Sequence, residues 1–213
     1  MGAAYNNSIG YTNSIRESLY RNITQIFEQF DDYGNLICYY QEDLNKLNGL
    51  KFRVCNPAGR VIGIIETEGE SFGTSLIRLF DENYRLINHI QQIRNCSSII
   101  HLFYDSNNSL EGRTIETGKC LDSIIEQFDK YETRTNHAIY SLCSDGSYSE
   151  YDQNNNLISK IFRFTDGGNL IKMYDGNNRE ISLANKTLFN NGFSKIQMVL
   201  IFRMILAGHR RDD

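Results

Sequence analysis

One segment is strongly apolar: Ser194-Lys195-Ile196-Gln197-Met198-Val199-Leu200-Ile201-Phe202-Arg203-Met204-Ile205-Leu206-Ala207-Gly208. It follows a long series of short strand-and-turn units. A helix with apolar residues on nearly all sides has to be wrapped by the rest of the chain. A membrane span takes ~20 apolar residues, more than this run offers. Arg203 also falls inside it, and a charge at mid-membrane depth is costly. The segment therefore predicts a core helix enclosed by the preceding strands. Arg203 is then expected at the mouth of the enclosure or paired with a carboxylate.

The chain of 213 residues fits one domain, or one domain with an N-terminal appendage. Twelve Phe and thirteen Tyr with no Trp suit strands. A single proline leaves turn formation to Asn, Asp and Gly. The net charge is −4, and no basic block exceeds His209-Arg210-Arg211, which argues against nucleic acid as a partner. The cysteines, Cys38, Cys55, Cys96, Cys120 and Cys143, are odd in number and scattered, and no apolar signal region precedes them. Reduced thiols and a cytoplasmic location are expected.

Gly2 occupies the acceptor position for N-myristoylation, with Asn6 where the stricter pattern has Ser or Thr. Ile15, Leu19, Ile23, Ile26 and Phe30 recur at three- and four-residue spacing and predict a helix over residues 12–30. The expected division is an N-terminal arm over 1–27 and a β domain over 28–213.

From residue 30 a pattern returns: an aromatic, a polar turn with Asp, Asn or Gly, then an aliphatic strand. Examples are Phe80-Asp81-Glu82-Asn83-Tyr84-Arg85-Leu86-Ile87, Tyr151-Asp152-Gln153-Asn154-Asn155-Asn156-Leu157-Ile158 and Phe164-Thr165-Asp166-Gly167-Gly168-Asn169-Leu170-Ile171. Such tips close hairpins, and flanks such as Leu50-Lys51-Phe52-Arg53-Val54-Cys55 alternate in polarity. A long antiparallel meander is expected. The units read as irregularly spaced, which favours a closed barrel or sandwich over an architecture of fixed period. Residues 120–131 read equally as a helical crossover or as another strand.

The stretch Phe52-Arg53-Val54-Cys55-Asn56-Pro57-Ala58-Gly59-Arg60-Val61-Ile62-Gly63-Ile64-Ile65-Glu66, followed by the hairpin from Ser75 to Ile90, resembles a unit of the phospholipid scramblase family. The resemblance covers roughly residues 28–207, as strand order and a few turn residues. It implies a mainly β fold with few helices: the tubby-like closed antiparallel barrel of about twelve strands around a hydrophobic C-terminal helix. The family carries an acidic calcium-binding segment before that helix. Asp175-Gly176-Asn177-Asn178-Arg179-Glu180-Ile181 stands in its place, so the resemblance makes Asp175 and Asn177 the candidate metal ligands. Asn177 replaces a carboxylate there and Arg179 opposes a cation.

The expected function is that of a membrane-associated phospholipid-binding protein, with lipid translocation as a further step. Arg53, Arg60, Arg78 and Arg85 are the candidate head-group ligands, because a guanidinium offers phosphate a two-pronged fork. Gly2 is the candidate lipid anchor, and the partner is an anionic phospholipid surface reached from the cytoplasm. The alternative is a non-enzymatic protein-interaction module or adaptor built on the Tyr-Asp hairpins. No phosphate loop, HExxH, GxSxG or paired Cys/His set occurs, so neither an enzyme nor a cofactor beyond calcium is expected.

Overall fold

The computed structural model describes residues 26–30, 35–43, 49–69, 74–119, 122–141, 147–163, 171–180, 188–189 and 193–208. Thirteen strands come first: β1 (Ile26–Phe30), β2 (Leu36–Glu42), β3 (Lys51–Cys55), β4 (Val61–Gly69), β5 (Thr74–Asp81), β6 (Leu86–Arg94), β7 (Ser98–Asp105), β8 (Leu110–Lys119), β9 (Asp122–Asp129), β10 (Arg134–Ser141), β11 (Ser147–Asp152), β12 (Leu157–Arg163) and β13 (Ile171–Asp175). One helix among the described residues, α1 (Lys195–Gly208), follows them. All thirteen strands form one sheet in which each pairs antiparallel with its neighbours in sequence.

Six turns at one end of this sheet share one turn chemistry. In the turn after β5, the Asp81 carboxylate accepts hydrogen bonds from the backbone N–H groups of Asn83 and Arg85, both at 2.8 Å. The Asp81 N–H donates to the Arg85 carbonyl at 2.9 Å, and Tyr84 sits at φ 63°. Asp105, Asp129, Asp152 and Asp175 repeat the arrangement, each bonding the second and fourth residues ahead. Asn56 does so through the Arg60 N–H, with Gly59 at φ 82°. A short polar side chain that supplies acceptors to its own loop holds the left-handed third residue in place.

These six residues, at 56, 81, 105, 129, 152 and 175, lie 25, 24, 24, 23 and 23 apart. The repeat is therefore nearly regular, which corrects the irregular spacing read from the sequence. Two turns hide the period. Asn56 replaces Asp in one, and Asp129-Lys130-Tyr131-Glu132 lacks Gly and Asn in the other. The unit read at Phe164 falls between the end of β12 at Arg163 and the start of β13 at Ile171, and its turn lies outside the described residues.

Inward side chains alternate along the strands, as with Cys38, Tyr40 and Glu42 on β2. A single cluster joins residues from β2 to β13 with α1. Every residue of α1 from Ile196 to Phe202 is buried. One flat sheet can cover only one side of a helix, so this burial requires a sheet curved around it. The inward Gly63 on β4 makes room for Phe189, since a Cβ there would stand 2.6 Å from the ring.

Two expectations need correction. The sheet, with thirteen strands among the described residues, is not closed. Its order runs linearly from β1 to β13, and beyond β13 Glu180 bridges back to Tyr174. The outer edge of β13 therefore faces its own continuation, whereas closure needs first and last strands in register with each other. Residues 26–30 of the expected helix form β1, where Ile26 pairs with Gln41 and buried Gln29 accepts a hydrogen bond from the Tyr40 hydroxyl at 3.2 Å. Pairing and burial override the three- and four-residue spacing there. The remainder of that helix lies outside the described residues, and the division at 27/28 cuts through β1. Residues 122–129, left open by the sequence, are strand β9.

Candidate functional site

The outer face of the sheet carries a ladder generated by the repeat. The residue before each turn Asp is aromatic: Phe80, Tyr104, Phe128, Tyr151 and Tyr174. Each lies across from a residue of the preceding strand in the sheet. The pairs are Ile64 with Phe80, His89 with Tyr104, Arg113 with Phe128, His137 with Tyr151, and Lys160 with Tyr174. These contacts are intimate. His89 stacks on Tyr104 with ring centres 4.8 Å apart, and His137 on Tyr151 at 5.1 Å. The Arg113 guanidinium lies 5.2 Å from the Phe128 ring centre, a cation–π geometry.

All ten members are half-buried. Burial lowers the pKa of His89, and the Arg78 charge lowers it further. For His137, burial and Arg134 act in the same direction. Both rings are therefore neutral at pH 7. The buried atoms His89 Nδ1 and Arg113 Nε have no hydrogen-bond partner among the described residues, which costs the ladder some stability. At the turn end of the face stand two more rings, Tyr84 and Tyr131, the latter 76% exposed.

Inside the roll, polar groups fix α1. Ser194 and Gln197 form a reciprocal cap: the Gln197 N–H donates to Ser194 Oγ, and the Ser194 N–H donates to Gln197 Oε1, both at 3.1 Å. The Gln197 amide also donates to Glu150 Oε2 at 2.8 Å. Glu150 is fully buried and accepts further hydrogen bonds from Ser159 Oγ at 2.9 Å and Asn136 Nδ2 at 3.0 Å. A carboxylate beside the first turn of a helix also suits the helix dipole. Six residues beyond Gln197, Arg203 grips Glu116 of β8 through both Nη groups.

The arginines expected to bind lipid head groups are spread over this surface and mostly occupied. Arg53 pairs with Asp43 at 2.8 Å, Arg60 with Glu82 at 2.8 Å and Arg78 with Glu68 at 2.6 Å. Arg85 is exposed at the end of the Asp81 turn and forms no ion pair among the described residues. Arg53 and Arg78 stand on strands, and Arg60 and Arg85 close two successive turns. Asp175 and Asn177 occupy a hairpin turn like the other five, with Asp175 Oδ1 bonded to two backbone N–H groups. Among the described residues no three His, Cys, Asp or Glu side chains group to hold a metal. Gly2 lies outside the described residues. Cys38 and Cys55 are buried, and burial pushes the Cys38 thiol up to about 11.

Sequence reasoning missed the ladder, although its signal is legible once the true period is applied. The aromatic precedes the turn Asp, and its partner stands eight residues after the previous turn Asp or Asn. Glu116 and Glu150 were also missed, because an acidic residue at an inward strand position looks like any solvated one. No helix among the described residues is long and apolar enough to cross a membrane. Comparison with protein-family models and with curated proteins finds no match to this chain.

Proposed function

We propose that the chain is a non-enzymatic interaction module whose curved sheet offers its outer ladder to a protein partner. The observation that carries this reading is the ladder itself: five successive hairpins repeat a half-buried aromatic beside an aliphatic, histidine or basic residue. Stacked rings with polar edges are the side chains that favour protein interfaces, since they combine apolar area with little conformational freedom to lose. The polar groups around Glu150 support the same reading, because they are engaged in holding α1.

The test is a Tyr104→Ser, Tyr151→Ser double variant with unchanged thermal stability, compared with the wild type by cross-linking in an extract. A partner held by the wild type and lost from the variant is the expected result. Equal capture by the two proteins would defeat the reading.

A second reading, the scramblase-like binder of anionic phospholipid, draws support from the apolar C-terminal helix wrapped by an antiparallel meander. Its head-group contact would fall to Arg85, with Asp175 and Asn177 as the candidate calcium ligands and Gly2 as its anchor. Flotation with phosphatidylserine vesicles separates the two readings. Vesicle binding that is weakened by Arg85→Gln favours the lipid surface, and no binding favours the protein partner.

A further inference from the structure

The end of β6–β8 opposite the Asp turns carries an arrangement that the ladder does not use. Arg94, the last residue of β6, pairs in register with Ile99 of β7, and Ile99 pairs with Glu116 of β8. Arg94 and Glu116 thus share one row on one face, two strands apart, or ~10 Å between backbones. The Arg203 guanidinium is anchored on Glu116. In the next row, buried His101 meets Thr114 Oγ1 through Nδ1 at 3.2 Å. Arg94 is exposed and makes no hydrogen bond or ion pair among the described residues. Its charge nevertheless acts on both neighbours. Burial first, and then Arg94, lowers the Arg203 pKa to about 10. Burial, Arg203 and Arg94 lower His101 to about 3.

Arg203 thus grips Glu116, and the exposed Arg94 stands in the same row beside a neutral imidazole. Among these four groups one positive charge is in surplus, and Arg94 has its donors unused among the described residues. Arg203 engages Glu116 through Nη1 and Nη2, which leaves its remaining N–H groups for a second acceptor.

We propose that this corner binds a small singly charged oxyanion, a carboxylate or a phosphodiester, between the guanidinium groups of Arg94 and Arg203. A monoanion removes the surplus charge without displacing Glu116. A planar or tetrahedral oxyanion also meets the guanidinium fork with two oxygens, which a halide cannot do.

The test is an NMR titration that follows the arginine Nε–Hε resonances of the full chain, with acetate and dimethyl phosphate as separate probes. Sodium chloride at equal ionic strength is the control. The expected result is a saturable shift of the Arg94 and Arg203 signals with at least one oxyanion and none with chloride. Saturation by acetate identifies a carboxylate site, and saturation by dimethyl phosphate a phosphodiester site. Arg94→Gln, at an exposed position, should leave the spectrum folded and weaken binding at least tenfold. A linear response, an equal response to chloride, or unchanged affinity in Arg94→Gln would overturn the proposal.

Discussion

Arg203 of α1 and Glu116 of β8, 87 residues apart, are joined by a two-pronged ion pair at the edge of the core. The pair resolves the one charge inside the greasy segment. Its side chains retain 31% and 14% exposure, so water still screens it, and its worth lies below that of a fully buried pair. Glu116→Ala should therefore cost about 1–3 kcal/mol, mostly from stranding the half-buried guanidinium. A double-mutant cycle with Arg203→Met, read by urea unfolding, checks this. The double variant should lose less than the sum of the single losses, and strict additivity would remove the pair from the account.

Glu150 makes a sharper case. Its three donors come from two strands and the helix cap, and the Gln197 amide cannot turn over without losing its bond from the Ser194 N–H. Glu150→Gln places an amide donor against donors, and Glu150→Ala leaves them unanswered. Both variants should lose stability, the alanine by about 2–4 kcal/mol. Denaturant midpoints that match the wild type would show that water already serves these groups.

Gly63 is a packing constraint rather than a turn. A methyl group there would stand 2.6 Å from the Phe189 ring. Gly63→Ala should cost about 1–3 kcal/mol through overpacking. Phe189→Leu should recover part of that loss in the double variant, although it is destabilising by itself. Calorimetric melting of the four proteins measures the recovery, and a melt of Gly63→Ala unchanged from the wild type would refute the contact.

His101 links stability to acid. Its folded pKa of about 3 lies below the unfolded value near 6.5, so between these limits the unfolded chain binds the extra proton. The contribution is complete above pH 6.5 and declines as pH falls towards 3. The upper bound is of order 5 kcal/mol, from ~1.4 kcal/mol per pH unit. Asp152 acts in the same sense at lower pH. Its carboxyl is held below its ordinary pKa by the Asn156 side-chain amide and by the backbone N–H groups of Asn156 and Asn154. Urea unfolding from pH 7 to pH 4 should show a steady loss in the wild type. His101→Gln, which stays neutral, should flatten it. An equally steep loss in that variant would place the acid sensitivity elsewhere.

The sequence by itself determined the local terms. Alternation marked strands such as Lys51–Cys55, Asp with Asn or Gly marked turns such as those at Asp81 and Asp152, and the apolar run from Ile196 to Phe202 required enclosure. Each of these depends on residues only a few positions apart, where backbone geometry and side-chain reach leave few choices. Tertiary structure alone decided the rest. It turned Ile26–Phe30 into a strand by pairing it with β2, left the sheet open beyond β13, and chose Glu116 for Arg203 and Glu150 for Gln197. Those partners are brought together by the register and curvature of many strands at once. An inward carboxylate and a solvated one are written with the same letter until the sheet bends around the helix.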